Sequence, residues 1–377
     1  MFKKVADSVS KHLGLWGPPI AVLMASRALV FLSGRFGLRH ILVDPTAPEA
    51  MVPVPAWFRW DAAHYLDIAT RCYVTDYSTA YFPLYPLLGY ITSRASGFPI
   101  HWTLLVLANI FFVLAGLLLF DLVRREWNAE TALVAVAGLS FFPSTVFLSV
   151  GYAESLFLLL TLITFRYLYD GRMWHAAFFA GLASASRPFG FLLALSVVVD
   201  AFLKARDHSG RTIISCLPMG LVSVWGVLGY AGYLGLIFGH PLMFASAQYL
   251  WHSEPVEPIW GHMPWRMVRS VVTSGSREAM VNGVFLLGFS VLTFLGVRLL
   301  PARYNIFSIG ALCLVYWRAP YVLFFSVNRH VLAIAPVYMT LAVLLSRRSG
   351  YALAVIGIFA GLSVFWTALY VQGYLIR

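Results

Sequence analysis

The sequence predicts an all-α, polytopic bundle of transmembrane helices, and three observations support this prediction. Of the 377 residues, 60% are hydrophobic and only 11% are charged, whereas a soluble domain carries about 25% charged residues. The apolar residues recur in blocks long enough to cross a hydrocarbon core about 30 Å thick. Because backbone groups in lipid must form their hydrogen bonds within each segment, these blocks are predicted to be helices. An ordinary soluble enzyme is excluded.

The apolar blocks predict about nine to eleven spans, all within one integral membrane domain that covers residues 1–377. They lie near 18–34, 102–120, 131–150, 152–169, 174–186, 188–203, 212–238, 280–298, 304–317, 321–345 and 351–372. The blocks 174–186 and 304–317 are short. We therefore expect two of the blocks either to re-enter the membrane or to merge with their neighbours.

The net charge of +11 is distributed between the apolar blocks and does not form one patch. The positive-inside rule, by which Lys and Arg collect in cytoplasmic turns, explains this distribution. Nucleic acid is therefore not an expected partner, whereas membrane lipids are. With the N-terminus in the cytoplasm, the long loops 35–101 and 239–279 fall on the outer face, and the first is predicted to contain interfacial helices. We expect a multi-pass protein of a bacterial inner (plasma) membrane, or of the endoplasmic reticulum in a eukaryote.

The first outer loop contains the densest group of candidate functional residues, at positions 57–69. If this segment is helical, Asp61, His64 and Tyr65 lie on one face. A carboxylate that is partly withdrawn from water beside an imidazole can accept a proton from an alcohol, so Asp61 is a candidate general base. In the alternative interpretation, Asp61 only caps a short helix or pairs with Arg59.

Two further candidates follow in the sequence. Tyr81 begins the segment 81–86, where two prolines stiffen a run of aromatic residues. This segment is predicted to be either a platform for a lipid or sugar or an aromatic belt at the membrane interface. Glu154 follows a span that Pro143 interrupts. Since an ionisable group near the apolar boundary is costly, Glu154 is expected to face a cavity or a charged partner.

Arg187 and Arg329 stand beside apolar blocks, toward the predicted outer side. Guanidinium groups bind phosphates through a fixed pair of donors. Both arginines are therefore candidates to bind the phosphate of an isoprenoid lipid. The alternative is that their side chains only snorkel toward the interface.

The second outer loop offers an amide and an aromatic ring, at Gln248 and Trp251. The amide can form hydrogen bonds with sugar hydroxyls, and the indole either stacks on a sugar ring or anchors the loop at the membrane interface. The histidines and glutamates of this loop lack a compact zinc spacing, so no metal and no cofactor are expected. No glycine-rich nucleotide loop occurs in a suitable context. Any donor of a transferred group is therefore expected to arrive within the membrane, activated by a lipid phosphate.

In their order and spacing, the motifs of residues 57–340 resemble those of the PIG-V family of mannosyltransferases, which are membrane enzymes of the GT-C type. The resemblance rests on Arg59-Trp60-Asp61 with Tyr65, Phe82-Pro83-Leu84-Tyr85-Pro86, Phe142-Pro143-Ser144, Tyr152-Ala153-Glu154-Ser155, Ser186-Arg187-Pro188-Phe189-Gly190, Gly239-His240-Pro241-Leu242 with Gln248 and Trp251, and Arg329 with Pro336.

This resemblance implies an inverting, metal-independent transfer of a hexose, expected to be mannose. The donor would be a polyprenyl-phosphate sugar, and the acceptor a hydroxyl of a lipid-linked molecule or glycan on the outer face. Asp61 would be the catalytic carboxylate, and Arg187 and Arg329 would stabilise the leaving phosphate. The other predicted substrate-binding residues are Arg59, Trp60, His64, Tyr65, Tyr81, Glu154, Gln248 and Trp251.

Two other functions are compatible with the sequence. A transporter or a lipid or glycan flippase, with no bond chemistry, would place polar groups along a path through the middle of the membrane, whereas here they gather near one face. A scaffold subunit without activity would depend on the packing of its spans and not on Asp61.

Overall fold

The computed structural model describes residues 2–40, 56–209, 213–249, 277–318 and 326–373. Within these ranges the chain forms helices, turns and short irregular segments, with no strand. The all-α prediction is therefore confirmed. Helices also occur within the first predicted outer loop, as the sequence indicates.

The α-helices are numbered here in chain order. They are α1 Phe2–His40, α2 Asp61–Arg71, α3 Leu84–Ser96, α4 Ile100–Glu126, α5 Ala129–Ser140, α6 Glu154–Tyr169, α7 Met173–Ser184, α8 Leu192–Ser209, α9 Leu217–Val222, α10 Trp225–Phe238, α11 Met243–Tyr249, α12 Arg277–Leu299, α13 Ala302–Arg318, α14 Val327–Leu332, α15 Ala335–Leu345 and α16 Ser349–Gln372. Short 3-10 turns occupy Asp76–Ala80, Thr145–Leu148, Pro188–Phe191 and Ile213–Cys216.

Long apolar helices identify the chain as a multi-pass integral membrane protein. Among the described residues, four helical segments are long and apolar enough to cross a membrane: Gly14–Arg39, Ile100–Glu126, Met280–Leu299 and Ser349–Gln372. Three shorter apolar helices are Ala129–Ser140, Trp225–Phe238 and Ala335–Leu345. Large apolar side chains on the long helices face outward, as Val284 at 71% and Leu353 at 72% exposure show. In a membrane these faces are covered by lipid.

The predicted span 131–150 is broken, as the position of Pro143 indicates. α5 ends at Ser140, and an irregular segment leads to α6 at Glu154. Pro143 explains the break, because proline cannot donate the hydrogen bond that a helix interior requires. Irregular backbone at membrane depth is tolerated where it is enclosed by protein, and this segment is buried.

Two other predicted spans are also broken. The block 212–238 divides into α9 and α10, and the amide of Val227 donates to the Ser184 hydroxyl of α7 at 3.0 Å. The described part of the block 321–345 divides into α14 and α15, with Pro336 in the first turn of α15. In the first block the Ser184 hydroxyl accepts from an amide that the first turn of α10 leaves without a helical partner, and in the second block Pro336 favours the start of a helix.

Ion pairs mark one end of the bundle, where α4 and α6 finish. Asp121 pairs there with Arg124 and Arg125 of its own helix, and with Arg166 in the last turn of α6. The candidate functional residues lie at the other end, where α6 begins. There the Gln372 amide of α16 donates to the Gly37 carbonyl of α1 at 2.9 Å, which ties the ends of these two helices together.

Candidate active site

Asp61 is held in place by the strained backbone that precedes it. The predicted helix exists as α2, and Asp61 is its first residue. Trp60 has a φ of 52°, in the left-handed region that non-glycine residues rarely adopt. Two phenols fix this turn by donating to the Arg59 carbonyl, from Tyr152 at 3.4 Å and from Tyr370 at 3.3 Å. Backbone strain of this kind persists only where the surrounding structure enforces it.

Tyr81 is positioned against Asp61 by two other phenols. The hydroxyls of Tyr73 and Tyr230 donate to the Tyr81 carbonyl at 2.8 and 3.3 Å. The Tyr81 hydroxyl then donates to Asp61 Oδ1 at 3.3 Å, and its ring stacks on His64 with centroids 4.8 Å apart. Tyr65 contacts Tyr81 edge to face, so the predicted face of α2 is present and lies beneath this aromatic group.

Glu154 enters the site because the irregular segment before α6 brings it there. The Ser155 hydroxyl donates to the Leu148 carbonyl at 2.7 Å and closes this segment onto the start of α6. Gly151 lies against the ring of Phe58, where a Cβ would come within 2.7 Å of a ring carbon. The segment therefore packs directly on the residues that precede Asp61.

Arg187 follows α7 and is joined to the first loop by a backbone hydrogen bond. The amide of Leu84 donates to the Ala185 carbonyl at 3.0 Å. Gly190 closes the turn after Arg187, and a Cβ there would meet the backbone of Ala183 at 2.3 Å. Only glycine fits this close approach, which explains the glycine of the Arg187-Pro188-Phe189-Gly190 motif.

Arg329 lies on the short helix α14, which is fastened on two sides. The Ser144 hydroxyl donates to the Asn328 carbonyl at 3.0 Å, and the Asn328 amide donates to the Asn282 side chain at 3.1 Å. The guanidinium of Arg329 lies over the ring of Tyr152, 4.5 Å from its centroid. This contact is a cation–π interaction.

These side chains form one cluster of two carboxylates and two guanidinium groups. Arg329 Nη1 lies 2.6 Å from Asp61 Oδ2, and Arg329 Nε contacts Glu154 Oε1. Arg187 Nη1 contacts the same Glu154 oxygen. The exposed fractions of the side chains are 0% for Glu154, 6% for Arg187, 9% for Arg329 and 20% for Asp61. Asp61 is thus the most accessible member of a buried, charge-balanced site.

The surroundings shift the pKa values of Asp61 and His64, which lie on the face of α2 that meets the cluster. Burial raises the pKa of the Asp61 carboxyl, but the charge of Arg329 and its hydrogen bond outweigh this effect and hold the pKa below its ordinary value. Burial lowers the pKa of His64, and the charges of Asp61 and Asp67 only partly oppose that shift. Asp61 is therefore ionised and able to accept a proton near neutral pH.

The structure brings together most of the predicted site residues, namely Asp61, His64, Tyr65, Tyr81, Glu154, Arg187 and Arg329. The side chains of Arg59 and Trp60 lie instead against α16. The ring centroids of Trp60 and Tyr370 are 5.0 Å apart, and the Arg59 guanidinium approaches Gly373. The partner of Asp61 is Arg329 and not Arg59. The side chain of Gln248 and the whole of Trp251 lie outside the described residues.

Three contributors were not among the predicted site residues. Tyr152 supports both Arg59 and Arg329, and His330 Nδ1 lies 3.2 Å from Arg187 Nη2. The ring of Tyr77 packs on His64 with centroids 5.2 Å apart. His330 directly follows the predicted Arg329, and Tyr152 stands two positions before the predicted Glu154, so proximity in the motifs is the signal that points to them. In the described part of the chain, no three His, Cys, Asp or Glu side chains are grouped as metal ligands.

The fold and the site together define a polytopic helical membrane protein with a buried site of two carboxylates and two arginines. Residues 46–205 match the family model described as Mannosyltransferase (PIG-V). The chain is 31% identical over 235 residues to GPI alpha-1,6-mannosyltransferase 2 of Rattus norvegicus, a match that covers 59% of this chain and 46% of that protein. These matches confirm the predicted relationship to the PIG-V family of mannosyltransferases.

GPI mannosyltransferase 2 of Schizosaccharomyces pombe is 28% identical over 138 residues, which cover 36% of this chain and 30% of that protein. The matches thus span less than half the length of these curated relatives. Among solved structures, the oligosaccharyltransferase of Archaeoglobus fulgidus overlaps with a TM-score of 0.42 at 14% identity, over 93% of this chain and 53% of the other.

Proposed function

We propose that this protein is a membrane glycosyltransferase of the GT-C type that moves mannose from a polyprenyl-phosphate donor to a hydroxyl of a lipid-linked molecule or glycan. The observation that carries this proposal is the position of Arg329, which joins Asp61 to Glu154 while Arg187 contacts the same oxygen of Glu154. A carboxylate able to act as a base thereby lies beside two cations suited to a phosphate. The similarity to the PIG-V mannosyltransferases supports the choice of sugar.

The reaction assigns one step to each group. Asp61 accepts the proton of the acceptor hydroxyl, and the acceptor oxygen attacks the anomeric carbon of the sugar. The bond from that carbon to the phosphate oxygen breaks, so the polyprenyl phosphate leaves with one additional negative charge. Arg187 and Arg329 stabilise this charge as it develops. Attack from the face opposite to the leaving group inverts the anomeric configuration.

We assign the site to the outer face of the membrane. The cluster lies at the end of the bundle opposite to the pairs of Arg124, Arg125 and Arg166 with Asp121. Since arginine and lysine collect on the cytoplasmic side, the positive-inside rule favours the outer side for Asp61. In a bacterium this face belongs to the plasma membrane, and in a eukaryote to the endoplasmic reticulum.

The assay uses purified protein in detergent, labelled polyprenyl-phosphate mannose and a total lipid extract of the host. We expect Asp61→Asn to reduce the labelled product at least about 100-fold, because the amide cannot accept the proton. Asp67→Asn is the matched control, since Asp67 lies on the same helix but pairs with the exposed Arg71. Full activity of Asp61→Asn would show that the assigned base is wrong.

The same assay separates the alternatives. Product formed only from polyprenyl-phosphate glucose or arabinose would retain the reaction class and change the sugar. If the wild type forms no product with any of these donors, movement of the labelled lipid across proteoliposome membranes would indicate a transporter or flippase. If the protein shows neither sugar transfer nor lipid movement, the result would favour the scaffold subunit.

A further inference from the structure

Glu154 occupies the centre of the charge cluster and has no access to the surface. Its side chain is fully buried, and both guanidinium groups approach the same oxygen, Oε1. Its other oxygen, Oε2, is also buried and has no hydrogen-bond partner among the described residues. A substrate that enters from the exposed side meets Asp61 first. This geometry does not suit a role for Glu154 in binding the sugar directly.

The charges around Asp61 show what Glu154 contributes. Arg329 touches Asp61 directly, and Arg187 and His64 also act on it electrostatically. In the described part of the chain, the other titratable groups besides Glu154 that act on Asp61 are phenols, which are uncharged near neutral pH: Tyr65, Tyr77, Tyr81, Tyr152 and Tyr370. Within this set, Glu154 is the second anion that balances the two arginines.

We infer that Glu154 is a positioning residue, which neutralises the arginine pair and holds Arg329 between two carboxylates so that Asp61 remains basic enough to take the acceptor proton. This inference rests on the proposed role of Asp61 as the base. Without the charge of Glu154, Asp61 alone would oppose two guanidinium groups. Its affinity for a proton would fall, and it would become a weaker base.

The first test needs no substrate. A water-soluble carbodiimide with an amine nucleophile modifies protonated carboxyl groups, so the initial rate of Asp61 modification at pH 5, followed by mass spectrometry, reports its protonated fraction. We expect Glu154→Gln to slow this rate about tenfold, which corresponds to a fall of about one unit in the pKa of Asp61. Glu130→Gln, on the exposed first turn of α5, is the matched control and should match the wild type.

A second variant separates charge balance from damage to the fold. Glu154→Gln combined with Arg187→Gln removes one charge of each sign, and we expect it to restore the modification rate toward that of the wild type. An unchanged rate in Glu154→Gln, or no recovery in the double variant, would overturn the inference. A Glu154 that acts only through packing would give the same rate in both variants, because both carry the same glutamine.

The transfer assay distinguishes a failure of this inference from a failure of the proposed function. In Glu154→Gln we expect the acidic limb of the pH profile of kcat/KM to move about one unit lower and the plateau to fall. A raised KM with an unmoved limb would make Glu154 a substrate-binding residue and leave the proposed function intact. Loss of the dependence on Asp61 would instead contradict the proposed function, whatever the modification rates show.

Discussion

At the residue scale, a residue with left-handed backbone lies shortly before each partner of the ion pair between Asp61 and Arg329. Trp60 precedes Asp61 with a φ of 52°, and Ser326 directly precedes α14 with a φ of 57°. The Ser326 carbonyl accepts hydrogen bonds from the amides of Arg329 and His330 at 3.1 and 3.0 Å. The strain at each helix start therefore fixes the direction from which a charged side chain enters the site.

We expect Ser326→Gly to stabilise the protein by about 1 kcal/mol, because glycine adopts the left-handed region without the steric cost that serine has there. The Ser326 side chain makes no capping hydrogen bond that would be lost. The measurement is thermal unfolding in detergent. Ser326→Ala keeps the steric cost and should remain close to the wild type. Equal unfolding temperatures for the glycine and alanine variants would argue against strain at this position.

At the scale of elements, the irregular segment between α5 and α6 is supported by a buried arginine of α1. Arg27 contacts the Ser149 hydroxyl, donates to Thr145 Oγ1 at 2.8 Å and to the Ser140 carbonyl at 3.4 Å, and lies 3.8 Å from the ring centroid of Phe112. These bonds satisfy backbone and hydroxyl groups that the broken helix leaves open. The segment they support leads directly to the site.

We expect Arg27→Gln to lower the free energy of unfolding by about 2 to 3 kcal/mol, since a shorter neutral amide cannot make the same set of charged hydrogen bonds. Arg35→Gln, an exposed position on the same helix, is the control and should have little effect. Denaturant titration in detergent micelles measures both. Equal losses in the two variants would mean that the bonds to 140–149 do not stabilise the segment.

At the scale of the whole molecule, the two ends of the bundle use charge differently. At the site, Arg187 and Arg329 share Glu154, and Asp61 remains partly accessible. At the other end, Arg303 pairs with Glu126 and with Asp200 at 3.5 Å, which connects α13 to the end of α4 and to the middle of α8. The first arrangement leaves the Asp61 side chain 20% exposed, whereas the second joins three helices.

We expect Arg303→Gln to lower the free energy of unfolding by about 3 kcal/mol, because it leaves the largely buried Glu126 without its counter-charge and Asp200 with Lys204 alone as its cationic partner in the described part of the chain. The KM values of the transfer reaction should remain within about twofold of the wild type, since the change lies at the opposite end of the bundle. Arg298→Gln, an exposed position at that same end, is the control. A changed KM with unchanged stability would contradict the structural role.

Much of the site could be predicted from the sequence because its residues stand in local motifs. Asp61, His64 and Tyr65 share a helix face through their spacing, and Arg187 and Arg329 stand out as charges beside apolar blocks. The continuity of the spans could not be predicted equally well. Pro143 indicates that the span 131–150 is interrupted, but the point at which α5 ends and the course of the segment before α6 depend on partners from other helices.

Composition and ordered motifs are properties of the chain alone, and they are enough to predict an all-α membrane protein similar to the PIG-V mannosyltransferases. Which charges meet depends on the packing of distant helices. Arg329 and Glu154 are 175 positions apart, and their contact depends on how α6 and α14 pack. Local spacing determines which side chains share a helix face, whereas long-range packing selects their partners from the other helices.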